Sequence, residues 1–174
     1  MPKPARRRRA ALPLLLPLLG AAACEPPDPR QNLELVSHEF YWVIDSSSGS
    51  TSFIAPTARI EVRNLRDQES YAIQATAVFR RVAPEDAGAT WGSAWAQIAG
   101  GEDRLAPGET RVVLLESDAR YYSTGPPQQF FDNEQFRDAE VEVFLRVGSS
   151  AWEPFASGPV PRRIGSQSVV LGPP

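Results

Sequence analysis

Cys24 and His38 supply the only thiol and the only imidazole among the 174 residues of this chain. One histidine cannot provide a two-histidine metal site, and one cysteine excludes an internal disulfide framework and zinc-finger spacing. The single lysine is Lys3, near the start of the sequence. The rest of the sequence therefore cannot supply the lysine of a Schiff base, a P-loop or a Ser–Lys dyad. No G-x-S-x-G elbow is present either. We therefore expect no catalytic residue, metal or cofactor, and a protein that is not an enzyme.

Two features leave one enzyme hypothesis open, a small secreted hydrolase, which ranks below the two binding hypotheses given at the end of this subsection. His38 could serve as a lone general base, although without a partner motif the pattern favours a histidine at the rim of a sheet. The second feature is a cluster of carboxylates that could bind Ca²⁺ or form an acid–base pair. The cluster lacks the EF-hand spacing, and its alternation favours a solvated loop running into the outer face of a strand. Its members are Asp132, Glu134, Asp138, Glu140 and Glu142.

Residues 1–23 have the organisation of an export signal. Lys3 and the run from Arg6 to Arg9 form a basic head, and Ala10 to Leu19 forms a short apolar stretch. That stretch is shorter than the roughly 20 apolar residues that span a bilayer. Two prolines within it also argue against a buried core helix. We interpret the segment as a targeting signal and leave it out of the fold.

The residues before Cys24 resemble a bacterial lipobox, with Ala22 and Ala23 as the small residues and Ala21 in place of the usual leucine. They also fit the A-x-A site of ordinary signal peptidase, which would cut between Ala23 and Cys24 as well. The resemblance implies that Cys24 is acylated and inserts into membrane lipid, since several acyl chains anchor a protein stably. Glu25 in the next position implies the outer membrane. The expected location is thus the cell envelope, facing the periplasm.

Charge separates the expected mature chain from its leader. The leader holds five of the 18 basic residues and none of the 21 acidic ones, so residues 24–174 carry a formal net charge of −8. This charge argues against nucleic-acid binding and against adsorption to anionic lipid, which both need a basic surface. Residues 24–32 hold three prolines and predict an extended linker after the lipidated cysteine.

A hydrophobic period of two dominates residues 33–174, which we expect to form one domain. Apolar residues alternate with polar ones from Arg59 to Arg63 and from Ala139 to Val147. Strands with one face on a core and one in water give this pattern. About seven or eight such strands, separated by turns, predict an all-β antiparallel sandwich. The predicted strands are Leu33–Ile44, Arg59–Arg63, Tyr71–Phe79, Trp91–Ile98, Arg111–Leu115, Ala139–Val147, Ala151–Phe155 (ended by Pro154) and Ser168–Leu171.

Leu105 to Thr110 reads Leu-Ala-Pro-Gly-Glu-Thr and precedes a predicted strand. It resembles the L-x-P-G-E turn of bacterial Ig-like and fibronectin-like modules, in which the turn leads into a strand of the sandwich. The stretch from Ile60 to Leu115 is similar to their layout: a strand ending in asparagine, a further strand, a strand that carries tryptophan, and then this turn. The resemblance implies an Ig-like fold, and because that fold has many functions it implies none in particular.

Aromatic residues give the remaining functional signal. Residues 117–137 form the longest predicted irregular segment, and loops of this length are often functional. The alternative is that their rings fold back and cap the open end of the sandwich. A short helix is expected from Gln128 to Phe136. The candidate binding surface consists of Tyr121, Tyr122, Phe130, Phe131, Trp91 and Trp95.

We therefore expect a lipid-anchored envelope lipoprotein that acts as a protein-binding, accessory or structural module with an envelope protein as partner. The alternative is a carbohydrate-binding module that stacks sugars on Trp91, Trp95 and Tyr121. A row of exposed rings on a sheet face would favour sugar, and a mixed hydrophobic patch would favour a protein.

Overall fold

The computed structural model describes residues 28–48, 51–83, 85, 88–124 and 127–165, and these residues form a β-sandwich. Ala23, Cys24 and the predicted strand Ser168–Leu171 lie outside the described residues. The first element is a single helical turn, α1 (Pro29–Asn32), which the Asp28 side chain caps by accepting a hydrogen bond from the backbone N–H of Arg30 at 2.9 Å. A proline at the first helical position suits this start because its missing N–H would have no helical partner.

In the described part of the chain, eight strands make up two antiparallel sheets, which confirms the predicted fold class. One sheet has the order β1-β2-β5, with β6 also paired to β2, and the other has the order β4-β3-β7-β8. Because the chain crosses between sheets after β2, β4 and β6, the order is that of an Ig-like Greek-key sandwich. The strands are β1 (Leu33–Ser48), β2 (Thr51–Asn64), β3 (Ile73–Arg81), β4 (Gly92–Ala99), β5 (Thr110–Glu116), β6 (Tyr121–Ser123), β7 (Ala139–Val147) and β8 (Glu153–Val160).

The long hairpin of β1 and β2 sets the length of the sandwich. Leu33 pairs with Asn64 at one end and Ser48 pairs with Thr51 at the other. Register shifts after Leu35 and after Ile44 bend β1, as expected of a long strand. The sequence predicts that the strand ends at Ile44, but it continues to Ser48 because backbone pairing with β2 outweighs the polar residues there.

The hydrophobic core lies between the sheets and follows the predicted alternation. Phe79 and its neighbours at every second position of β3 are fully buried, and so are alternate residues of β7. Tyr71, predicted as the first inward residue of β3, is instead 61% exposed. The backbone of Ala72 has φ = 56°, which breaks the strand geometry before Ile73. Burial of alternate side chains on both sheets is the main stabilising contribution of this architecture.

Pro154 does not end the strand in which it lies, β8. The prediction placed a strand end there, whereas β8 runs from Glu153 to Val160 through both Pro154 and Pro159. Pro154 pairs with Phe144 beside a register shift, and β8 is the last strand of its sheet among the described residues. Prolines are tolerated at bulges and on edge strands because no central ladder bond is lost.

The predicted turn before β5 is organised by a buried asparagine side chain at the end of β2. The side-chain amide of Asn64 donates to the backbone carbonyls of Leu105 (2.9 Å) and Ala106 (3.2 Å), and its oxygen accepts from the Ser70 hydroxyl at 2.9 Å. Gly108 has φ = 72°, a conformation that a side chain would strain. The amide of Asn64 therefore ties the end of β2 to the Leu105–Thr110 turn and to Ser70.

Among the described residues no helix is long and apolar enough to cross a membrane.

Candidate functional site

At the sandwich end opposite α1, four aromatic rings pack around Trp42 of β1. The Trp42 side chain is fully buried, and its ring centroid lies 5.0 Å from that of Phe136 and 5.9 Å from that of Tyr121. Trp91 and Phe131 complete the group, each at 6.2 Å from Trp42. Aromatic pairs at these separations add stability beyond the area they bury. We call these five residues the ring cluster.

Polar contacts fix the segment that carries two of these rings. The Tyr121 hydroxyl accepts from the backbone N–H of Arg137 at 3.2 Å, so β6 is tied to the chain just before β7. Arg162, which follows β8, donates to the backbone carbonyl of Phe131 at 3.0 Å and lies 5.3 Å above the Phe136 ring. Part of the predicted irregular segment therefore closes the end of the sandwich with its own rings.

Asp138 holds that arginine in place. The Arg162 guanidinium donates to both carboxylate oxygens of Asp138, at 2.7 and 2.9 Å. These bonds lower the pKa of Asp138 below its ordinary value and raise the pKa of Arg162. A charge-assisted pair with two parallel bonds has a defined geometry, which positions Arg162 over the ring cluster.

A groove of about 520 Å³ opens beside the ring cluster. This volume lies within the range of about 300–1,000 Å³ that is typical of ligand sites. Its lining combines aromatic rings, two guanidinium groups and two side-chain amides, which can contact apolar, anionic and hydrogen-bonding groups respectively. The lining residues are Arg81, Arg120, Tyr121, Tyr122, Ser123, Thr124, Phe130, Asn133, Gln135 and Phe136. We call this feature the β6 groove.

Tyr122 is the most exposed ring of the β6 groove. Neighbouring residues of a strand point to opposite sides, so Tyr121 enters the ring cluster whereas Tyr122 is 74% exposed. The Tyr122 ring lies 6.4 Å from that of Phe53 on the neighbouring strand. Phe130, in a short 3₁₀ helix (Pro127–Asp132), is only 3% exposed. The sequence predicts an α-helical piece here, and the structure forms the tighter 3₁₀ turn over the first part of it.

Both arginines of the β6 groove interact with neighbouring protein groups. Arg120 forms an ion pair with Asp45, a residue in the distal part of β1. The guanidinium of Arg81 lies 5.9 Å above the Trp91 ring. The sequence analysis missed both arginines as site residues, although Arg120 directly precedes the aromatic pair and Arg81 is the last residue of β3.

Five of the six aromatic candidates lie at the far end of the sandwich, where they belong to the ring cluster or, like Tyr122 and Phe130, line the β6 groove. Trp91 and Tyr121 are in contact, with ring centroids 4.9 Å apart, and both belong to the ring cluster together with Phe131. Trp95 lies elsewhere, on the outer face of the β4-β3-β7-β8 sheet, and is 58% exposed. The three rings of the carbohydrate hypothesis, Trp91, Trp95 and Tyr121, therefore do not form one platform.

The candidates for hydrolytic chemistry are dispersed. His38 is exposed on β1, with its ring 5.2 Å from that of Phe40. Of the acidic cluster, Asp138 binds Arg162 and Glu142 forms an ion pair with Arg80. Within the described residues, no group of three or more His, Cys, Asp and Glu side chains has an arrangement that could hold a metal ion.

Comparison with known proteins gives no family. No protein-family model matches the chain, and no curated protein matches it. A solved β-glucuronidase of Bacteroides uniformis is 16% identical to this chain, with a TM-score of 0.43. The match covers 70% of this chain and 12% of the β-glucuronidase chain. A structural genomics target, SoR45, is 12% identical to this chain, with a TM-score of 0.37. The match covers 83% of this chain and 94% of the SoR45 chain. The chain spans about one eighth of the β-glucuronidase, and similarity this low carries no argument about activity.

Proposed function

We propose that this chain is a lipid-anchored lipoprotein of the bacterial cell envelope that binds a protein partner through the β6 groove, without catalysis. Acylated Cys24 holds it at the membrane, at the outer membrane and facing the periplasm. The observation that carries the binding role is a groove of ligand-binding size whose rim presents Tyr122, 74% exposed. Tyrosine and arginine, which line this groove, are the residue types that contribute most at protein interfaces.

The position of the groove supports this function. The chain enters the sandwich through α1, next to the Leu33–Asn64 pair, whereas β6 pairs with Ser52–Ile54 near the other end of β2. Trp42 lies nine positions after Leu33 in β1, which corresponds to about 30 Å of extended strand. A domain anchored before α1 therefore presents the β6 groove at its far end, where a partner can reach it.

The lining favours a peptide segment over a flat protein surface. A groove of this volume accepts a few side chains, while a stable flat interface buries roughly 800 Å² on each partner. The rings supply apolar contact, and the amides of Asn133 and Gln135 can bond to the backbone of an extended peptide. Arg120 adds a guanidinium whose charge is offset by its ion pair with Asp45, so the rings and the amides carry the recognition of the peptide.

The anchor is tested by replacing the only thiol. We expect wild type to incorporate labelled palmitate and to fractionate with membranes, and Cys24→Ala to do neither. Membrane fractionation that is the same in both, without palmitate in wild type, would contradict the anchor. This variant changes no residue of the sandwich, so it tests the anchor separately from the groove.

The groove is tested by site-specific photo-crosslinking in intact cells. A benzoyl-phenylalanine residue at position 122 should give one discrete protein adduct. Position 71 is the matched control because Tyr71 has a similar exposure, 61%, outside the β6 groove. Adducts that are the same at both positions, or no adduct at position 122, would refute a partner at the groove.

A further inference from the structure

The outer face of the β4-β3-β7-β8 sheet carries a row of side chains that the groove does not use. Thr76 of β3 is the register partner of both Trp95 on β4 and Phe144 on β7, and Phe144 in turn pairs with Pro154 on β8. The inward neighbours Ala75, Ala77 and Val143 are buried, so this row faces outward. Two strand spacings place the backbones of Trp95 and Phe144 about 9.6 Å apart, with a small residue between them.

A polar row runs beside these rings, one pleat further along the strands. Gln97 pairs with Gln74, which pairs with Arg146. The Nε–H of Arg146 donates to the Gln74 side-chain oxygen at 2.6 Å, and its guanidinium lies 4.5 Å above the Trp152 ring. Amide and guanidinium groups held in this way offer both donors and acceptors along the aromatic row.

Charge distinguishes this outer face from the rest of the chain. Its strands carry Arg80 and Arg146 on the outward side against Glu140 and Glu142, so the face is neutral. Residues 24–174 as a whole have a net charge of −8. A neutral face with separated rings and a flanking polar row matches a ligand that is apolar on its ring faces and rich in hydrogen-bonding groups at its edges. A linear polysaccharide has this chemistry, whereas the core of a protein interface is a contiguous apolar patch.

We propose that this outer face binds an uncharged linear glycan, with Trp95 and Phe144 as stacking platforms and the Gln97–Gln74–Arg146 row bonding to the substituents of the sugar. The chain of pyranose rings lies across the strands, and the small side chain of Thr76 leaves room for it between the two aromatic rings. This site is independent of the β6 groove, because it lies on a different sheet from Tyr122.

The test is calorimetric titration of the full chain with cellohexaose, chitohexaose and, as a charged comparison, oligogalacturonate. We expect saturable binding of at least one neutral hexasaccharide, roughly tenfold weaker binding in Trp95→Ala, and a smaller loss in Trp95→Phe. Tyr122→Ala is the matched control: it removes an exposed ring of the groove and should leave glycan affinity unchanged. Trp95→Ala should in turn keep the crosslinked adduct at position 122, so each site can fail without the other.

Several results would overturn the proposal. They are no saturable binding of either neutral hexasaccharide, equal affinity in wild type and Trp95→Ala, and preference for oligogalacturonate. Sedimentation provides a further test of the occupant: a dimer that Trp95→Ala dissociates would show that a second copy of the chain covers this face.

Discussion

The two ends of the sandwich are closed by different chemistry. At the end where α1 enters, one buried amide, that of Asn64, joins β2 to the Leu105–Thr110 turn through hydrogen bonds. At the far end, the rings around Trp42 close the gap between the sheets, and hydrogen bonds only tie the segment that carries them. A buried amide needs all its partners in place, so its end has one geometry. The ring cluster leaves open space at its side, and the β6 groove lies there.

The largest expected loss of unfolding free energy is that of Trp42→Ala, at the far end of the sandwich. Removing a fully buried tryptophan that four other rings contact should lower the free energy of unfolding by about 3–5 kcal/mol. Tyr122→Ala, at the exposed rim of the same end, should change it by about 0.5 kcal/mol or less. Urea unfolding followed by fluorescence measures both. A loss below about 1 kcal/mol for Trp42→Ala would mean that the ring cluster does not hold the far end together.

A somewhat smaller loss is expected from Asn64→Ala at the α1 end. The alanine leaves the carbonyls of Leu105 and Ala106 without their side-chain donor, which should cost about 2–4 kcal/mol. Asn133→Ala is the matched control at the far end, because the side chain of that exposed asparagine accepts one local bond, from the N–H of Gln135, among the described residues. Its expected cost is about 0.5 kcal/mol. Equal losses of unfolding free energy in Asn64→Ala and Asn133→Ala would show that the buried amide stabilises its end no more than the exposed one.

The smallest effect is the acid sensitivity of one carboxylate at each end. The backbone N–H of Ala106 lowers the pKa of Glu109, and Arg162 lowers that of Asp138. A pKa that is lower in the folded state stabilises fully above the ordinary carboxyl pKa, and that stabilisation is lost as the pH falls through the lowered value. The urea midpoint should therefore fall on acidification below about pH 5, and less steeply in Glu109→Gln and Asp138→Asn. Slopes as steep as that of wild type would contradict both assignments.

The sequence predicted the central strands well because local alternation and tertiary burial agree there. β3 and β7 keep a period of two, and each inward residue meets the core that the pattern requires. The far half of β1 and the course of β8 through Pro154 could not be predicted, since pairing with a neighbouring strand decides both. The same limit applies to the candidate site. The predicted aromatic surface names Tyr121 and Tyr122 side by side, but only the pairing of β6 with β2 determines which ring faces the core.

β8 has a consequence for how copies of the chain meet one another. An edge strand with free N–H and C=O groups is a template for pairing with another chain, and Pro154 and Pro159 remove two donors from this edge. Molecules tethered in a membrane move in two dimensions, where side-to-side encounters are frequent. For a lipoprotein anchored as proposed, these prolines hinder sheet pairing between neighbours through the β8 edge.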